Sequence, residues 1–162
     1  MHSRLKTTAV LAAAVLGAGA AAVTPSWSQS DAASSRTLTL VGKPTGEAFL
    51  DHGSQGPTIG DEFVTAQRLI HRGRVTGSAG GSCQTIAPAP GGNRFTFHCT
   101  VTLRLPSGQI AMRGLATFGE QGPQPMRMAI TGGTGDYRQA RGQATAQERA
   151  GGETRYRLSI RN

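Results

Sequence analysis

Phe95-Thr96-Phe97-His98-Cys99-Thr100-Val101-Thr102-Leu103-Arg104-Leu105 places an apolar side chain at every odd position and a polar or basic one at every even position. Successive side chains of a strand point to opposite faces, so this unbroken alternation predicts one long strand, dry on one side and wet on the other. A helix would need its apolar residues three and four apart, and here they are two apart. The same period, less regular, recurs on both sides and predicts strands at 36–41, 61–71, 74–86, 109–118, 126–131, 141–148 and 154–161. Between them stand Arg72-Gly73, the Gly/Pro cluster at 88–92, Pro106-Ser107-Gly108, a second cluster at 119–125 and Ala150-Gly151-Gly152. These offer the positive or fixed φ that tight turns require. About eight strands with hairpin-length links and almost no helical periodicity predict an all-β domain, either a sandwich or a closed up-and-down barrel. Periodicity does not choose between the two. Closure removes exposed strand edges, and an eight-stranded barrel encloses room for side chains or for one small ligand.

The chain has 162 residues, enough for one ordinary domain and too few for two large ones. Charged residues make up only 16% and apolar residues are spread along the chain, which excludes a disordered polyelectrolyte. The 23 glycines follow no Gly-X-Y period, which excludes collagen. Residues 1–6 carry Arg4 and Lys6, and 7–23 is Thr, Ala, Val, Leu and Gly without a charge, the layout of a signal peptide's basic and apolar regions. Small residues allow cleavage after Ala22, Ser28 or Ala33, and Ser28 is preferred, so 1–28 reads as a signal peptide and 29–35 as a flexible tether. An uncleaved anchor is the alternative, but the stretch is short and weakly apolar against a span of about 20 residues. No later stretch approaches membrane length, so the mature chain is expected to lack a transmembrane segment and to be secreted. Cleavage removes Arg4 and Lys6 and no acid, so the basic excess, +8 over the whole chain, persists. The remaining arginines are scattered, and no nucleic-acid motif accompanies them. A solvated face is the preferred reading, with no nucleic-acid partner.

Cys83 and Cys99 are the only cysteines. A turn centred at Gly91 sets them opposite each other on neighbouring antiparallel strands, where a disulfide can form. The expected bond closes a loop of about 17 residues and stabilises by roughly 3 kcal/mol in the chain-entropy picture. Two buried free thiols are the alternative. A nucleophilic cysteine would need a base beside it, and His98, adjacent in the strand, points to the opposite face.

The run Ile130-Thr131-Gly132-Gly133-Thr134-Gly135-Asp136-Tyr137-Arg138-Gln139-Ala140-Arg141-Gly142-Gln143 resembles a family motif. Dirigent proteins carry Gly-Gly-Thr-Gly-x-Phe-x-x-Ala-x-Gly, and plant allene oxide cyclases carry Thr-Gly-Gly-Ser-Gly followed by an aromatic and Tyr-Gly-Gln. Other landmarks keep the same order: Gly60-Asp61, Gly80-Gly81-Ser82-Cys83, Gly108-Gln109-Ile110 with Gly114, and Tyr156-Arg157-Leu158. Over roughly 60–160 the chain resembles a secreted, bacterial-type member of the allene oxide cyclase barrel-like and dirigent superfamily. The resemblance implies an eight-stranded antiparallel up-and-down barrel, a single domain over 36–162. It also implies a homotrimer and an apolar interior that binds a small hydrophobic molecule and steers its cyclisation or coupling, with no cofactor. Within the motif, Gly132, Gly133, Thr134, Gly135, Tyr137 and Gly142 read as a structural turn, with the Tyr137 ring capping the barrel end. A phosphate cradle would need a Gly-Lys-Ser/Thr ending and a following helix, and neither is present.

If both cysteines face inward, as the matching cysteine of the cyclases does, alternation carries further side chains into the barrel. The candidates for a ligand pocket are then Phe63, Thr65, Gln67, Phe95, Phe97, Val101, Met112, Phe118, Met128, Tyr156 and Leu158. The same set would serve equally to fill a small barrel. Plant cyclases draw a carboxylate and an asparagine from the first strand, whereas Leu38-Thr39-Leu40-Val41-Gly42 has neither. Asp51, His52, Asp61, Glu62, His71, His98 and Arg113 form no triad, carboxylate pair or metal set by spacing, and His98 and Arg113 are expected to face outward. No residue is therefore assigned a catalytic role. Two functions stay open: an isomerase-like or dirigent-type guide of a small hydrophobic compound, and a non-catalytic extracellular or envelope-associated scaffold.

Overall fold

The computed structural model describes residues 35–55, 58–88, 94–119 and 124–161. The expected signal peptide at 1–28, most of the tether at 29–35 and the turn around Gly91 lie outside them. Eight strands follow in order: β1 (Ser35–Leu50), β2 (Glu62–His71), β3 (Arg74–Pro88), β4 (Phe95–Leu105), β5 (Gly108–Phe118), β6 (Met126–Gly133), β7 (Arg141–Glu148) and β8 (Thr154–Arg161). Each pairs antiparallel with its sequence neighbours, and β1 also pairs with β8, so the sheet closes into a barrel. Two three-residue helical turns, over Gly135–Tyr137 and Ala150–Gly152, are the only helical segments among the described residues. The sandwich alternative is thereby excluded.

The alternation read in Phe95–Leu105 is physical: Cys99, Val101, Leu103 and Leu105 are buried while Thr102 and Arg104 are exposed. Their inward partners continue around the barrel, since Leu103 lies opposite both Ala79 and Ile110, and Val101 opposite Gly81 and Met112. Toward one end Leu40, Leu69, Leu103, Ile110, Leu158 and Ile160 lose essentially all contact with solvent. Each such aliphatic stabilises the fold by about 1.5–3 kcal/mol on burial, so this layer is the thermodynamic base of the barrel. Beyond it the glycine-rich run seals the end. Gln109 N–H donates to Thr134 Oγ1 at 3.1 Å, Thr134 N–H to Gln109 O at 2.9 Å and Asp136 N–H to Ser107 O at 2.9 Å, so the motif is stitched to the start of β5. Gly135 adopts φ +59°, a left-handed conformation closed to most side chains, and a Cβ there would strike the Ser107 carbonyl. Tyr137 is buried against this end with the Arg36 guanidinium 5.1 Å from its ring centre.

Cys83 and Cys99 face each other in the β3–β4 ladder and are disulfide-bonded. Farther along, Ala87 pairs with Thr96 and Pro88 with Phe95, one residue out of step with the cysteine pair, and a bulge at Ile86 absorbs the difference. A second bulge matters more. β1 extends to Leu50, well past the expected end at residue 41, and slips register between Pro44 and Gly46 so that Thr45 has no partner. Glu47 then lies opposite Thr65 and Phe49 opposite Phe63.

Candidate functional site

The end of the barrel away from the sealed base is open, and a cavity of about 360 Å³ runs into it. One wall is aromatic and aliphatic: Phe63 from β2, Phe97 and Val101 from β4, Phe118 from β5 and Met126 from β6. Phe97 and Phe118 meet edge to face with ring centres 5.2 Å apart, a geometry favoured by the ring quadrupole and one that fixes both rings. Cys83 of the disulfide also lines the cavity, while its partner Cys99 is buried behind it.

Across the cavity stands a polar group of three. Tyr156 Oη donates to Gln67 Oε1 at 2.8 Å, and Gln67 Nε2 donates to Thr154 Oγ1 at 2.9 Å. Gln67 and Tyr156 are both buried, so a missing partner would cost more than the bond itself contributes. Burial pushes the Tyr156 phenol up to about 12, partly offset by the nearby Thr154 hydroxyl. Tyr156 is therefore a neutral donor under ordinary conditions, and the cluster can hold an oxygen or ring nitrogen of a bound molecule. Gly42 makes the arrangement possible, because a Cβ at that position would collide with the Gln67 carbonyl oxygen and press on the Tyr156 ring.

At the mouth two carboxylates, Glu47 and Glu148, join the lining together with the half-exposed ring of Phe49. Glu47 corrects the expectation that the first strand brings no acid. Without the extra residue at Thr45, strict alternation from Leu40 and Gly42 would turn Gly46 and Ala48 inward and Glu47 outward. The bulge reverses this, and the only trace in sequence is Pro44-Thr45-Gly46, a Pro/Gly pair inside an otherwise strand-like run.

Of the expected pocket residues, Phe63, Thr65, Gln67, Phe97, Val101, Phe118 and Tyr156 come together on the cavity wall. Met112, Met128 and Leu158 do not. They share the inward face but lie deeper, nearly inaccessible, within the packed base. Phe95 is half-buried at the first residue of β4, opposite Phe118, and is not part of the lining. Periodicity gives the face of a residue and not its depth, so it does not separate these four from the others. Sequence reading missed Glu47, Phe49, Met126, Glu148 and Thr154 on the wall.

Of the remaining titratable candidates, Asp61 and His71 make structural hydrogen bonds. Asp61, just ahead of β2, is fully buried and accepts hydrogen bonds from the His52 N–H, the Thr58 N–H and the Thr58 hydroxyl. The Thr58 and His52 amides hold its carboxyl below the ordinary 3.8, against the opposing effect of desolvation. Its carbonyl accepts from the Thr85 N–H at 2.8 Å, tying the β1–β2 connection to β3. His71 Nδ1 lies 2.8 Å from the Thr39 carbonyl, and neither His71 nor His98 lines the cavity. Arg113 is exposed on the outer face. Among the described residues no three His, Cys, Asp or Glu side chains gather as a metal-ligand set, and no helix is long and apolar enough to cross a membrane.

A family model described as an allene oxide cyclase barrel like domain matches residues 29–160. The chain belongs to that family. No curated protein matches it significantly. Among solved structures, this allene oxide cyclase barrel-like chain is similar to a pyocyanin demethylase, with 32% identity, 77% of this chain and 99% of that one covered, and a TM-score of 0.66. It shares its fold with an exo-specific intermolecular Diels-Alderase at 16% identity, covering 80% of this chain and 99% of that one, TM-score 0.61. A pterocarpan synthase dirigent protein has the same fold at 18% identity, covering 78% and 83%, TM-score 0.55.

Proposed function

We propose that this protein takes a small, flat, mainly aromatic molecule into the open half of the barrel and steers its conversion, acting outside the cell after loss of residues 1–28. The observation that carries the reading is the use of phenylalanine. Of the five in the chain, Phe49, Phe63, Phe97 and Phe118 line one cavity, together with one of the two tyrosines. Aromatic side chains contribute large buried area and prefer offset or edge-to-face contact with other rings, so a cavity lined this way favours a flat conjugated guest. Its volume, about 360 Å³, falls within the roughly 300–1,000 Å³ range of small-molecule sites. The similarity to a pyocyanin demethylase supports the same class of guest.

What this chain's residues can supply is orientation and proton management. The rings hold the plane of the guest, and the Gln67–Thr154–Tyr156 cluster hydrogen-bonds one heteroatom. Glu47 and Glu148 stand at the mouth, where a carboxylate can accept or return a proton. Holding a reactive molecule in one conformation selects its product by proximity alone. A scaffold would be served as well by a filled barrel, so the hollow upper half favours the container. The disulfide suits an oxidising, extracellular setting.

The test is a binding titration of the purified protein with pyocyanin and a panel of neutral tricyclic aromatics, followed by absorbance and equilibrium dialysis. Saturable binding is expected, and Val101→Trp, which fills the cavity from its wall, should abolish it while leaving the folded signature intact. If no member of the panel binds, or if Val101→Trp binds as well as the parent, the reading is wrong.

A further inference from the structure

The charge of the cavity runs against the charge of the chain. Lys and Arg number 17 and Asp and Glu 9, so a surface or cleft assembled without preference would carry about two bases for each acid. The described lining carries two acids, Glu47 and Glu148, and no lysine or arginine. Bases adjacent in sequence are turned away: Lys43 is exposed and paired with Glu153 at 3.3 Å, and Arg155 and Arg157 are exposed on β8 outside the barrel. Arg94 packs along Gly119 at the end of β5 and is not part of the wall. The two carboxylates share the cavity with Phe49, Phe63, Phe97 and Phe118, and the face of an aromatic ring is the negative pole of its quadrupole.

From this arrangement we infer that the cavity selects a planar organic cation, such as a quaternised or protonated nitrogen heterocycle, over a neutral or anionic molecule of the same shape. The inference rests on the reading above that the cavity takes a flat aromatic guest, and it adds the sign of that guest's charge. Two attractions act together. A delocalised cation lying over Phe63, Phe97 or Phe118 gains cation–π attraction, which grows as water is excluded. Glu47 and Glu148 at the mouth add Coulomb attraction, which salt screens because both are exposed. An anionic guest would meet the same carboxylates as repulsion. Glu47 owes its place to the Thr45 bulge, so the feature that admits the cation is built into the backbone of β1. The second hydrogen of Gln67 Nε2, not spent on Thr154, remains available for a heteroatom elsewhere on the guest.

N-methylacridinium and acridine, compared by fluorescence titration in mildly alkaline buffer where acridine is uncharged, isolate the charge at nearly constant shape. At low salt the cation is expected to bind about tenfold more tightly, which corresponds to about 1.4 kcal/mol. In the Glu47→Gln/Glu148→Gln double variant its advantage over acridine should shrink severalfold, and raised salt should shrink it in the parent. Equal affinity for the two probes in the parent would overturn cation selection while leaving the aromatic cavity standing. Binding of neither probe would overturn both. An undiminished preference in the double variant would overturn the assignment to these carboxylates, and melting curves of parent and variant verify that both are folded.

Discussion

Tyr156→Phe is the most informative single change, because it should stabilise or destabilise the protein according to pH. Near neutrality the phenol donates to Gln67 Oε1 at 2.8 Å in a buried position. Removing the hydroxyl leaves that carbonyl oxygen without its donor and should cost about 1–2 kcal/mol. Above pH 10 the balance turns. The phenol ionises near 10.0 in the unfolded chain but only near about 12 in the barrel, chiefly because burial penalises the phenolate. The folded state therefore keeps a proton that the unfolded state releases. Tyr156 contributes its full stability below pH 10 and loses it as pH climbs, at about 1.4 kcal/mol per pH unit until the folded phenol also ionises, or about 3 kcal/mol in all. The parent should thus lead at about pH 8, and the two stability curves should cross near about pH 11, where the loss matches the hydrogen bond. Urea unfolding of both proteins at a series of pH values reads this directly. Phenolate absorbance, taken as the difference between parent and variant, follows the same ionisation. A gap between parent and variant that stays constant from about pH 8 to about pH 11.5 would refute the reasoning, as would a phenol that titrates near its ordinary value.

Three further changes probe other parts of the barrel. Cys83→Ser opens a loop whose ends are 16 residues apart, so stability should fall by about 3 kcal/mol and Tm on the order of 10 °C; a variant melting with the untreated parent would contradict this. Asp61 has a lowered carboxyl and so contributes stability above 3.8 that is lost as pH falls through its folded value. Asp61→Asn should flatten the acid limb of an unfolding-versus-pH curve, and an unchanged limb would count against the three hydrogen bonds. Gly42→Ala forces Gln67 away from Tyr156 and should cost about 1–3 kcal/mol, with the alkaline transition of Tyr156 altered in the same protein; an unperturbed phenol titration would show that the cluster tolerates a methyl group there.

Much of this architecture can be read from single residues. The strict alternation of Phe95–Leu105 identifies β4 because its inward face is buried from Cys99 to Leu105 and its outward face is wet. The cysteine pairing is legible because a hairpin fixes register to within a residue; the bulge at Ile86 lies between the β3–β4 connection and the pair, and after that one-residue shift Cys83 and Cys99 stand opposite each other. The second half of β1 is not legible in the same way. Pro44, Thr45 and Gly46 look like a strand ending, and in the barrel they are a bulge through which pairing resumes. A one-residue insertion reverses which side chains face the interior. Glu47 and Phe49 thereby become cavity residues that no alternation rule would place there.

The choice between a filled and a hollow barrel turns on side-chain size along each inward face, since eight strands enclose little more than their own side chains can occupy. At the sealed end the inward positions are Leu40, Leu69, Leu103, Ile110, Ile130 and Ile160, and no space remains. Nearer the mouth, positions facing the same way are Gly42, Thr65, Gly81 and Ala146, with Ala116 at a similar level on β5. Glycine and alanine cannot span the interior, so a void follows wherever several share one level. At Gly81 the backbone of β4 lies so near that a Cβ would meet the Thr100 carbonyl oxygen at 2.8 Å and Val101 Cγ2 at 3.0 Å. The hollow is therefore fixed by neighbouring strands as well as by small residues. Recognising it from sequence requires knowing which residues share a level, and that depends on four register shifts, of which only the glycine and proline at β1 leave a mark. The barrel is both plug and container because inward side-chain size falls along the strands from the base to the mouth.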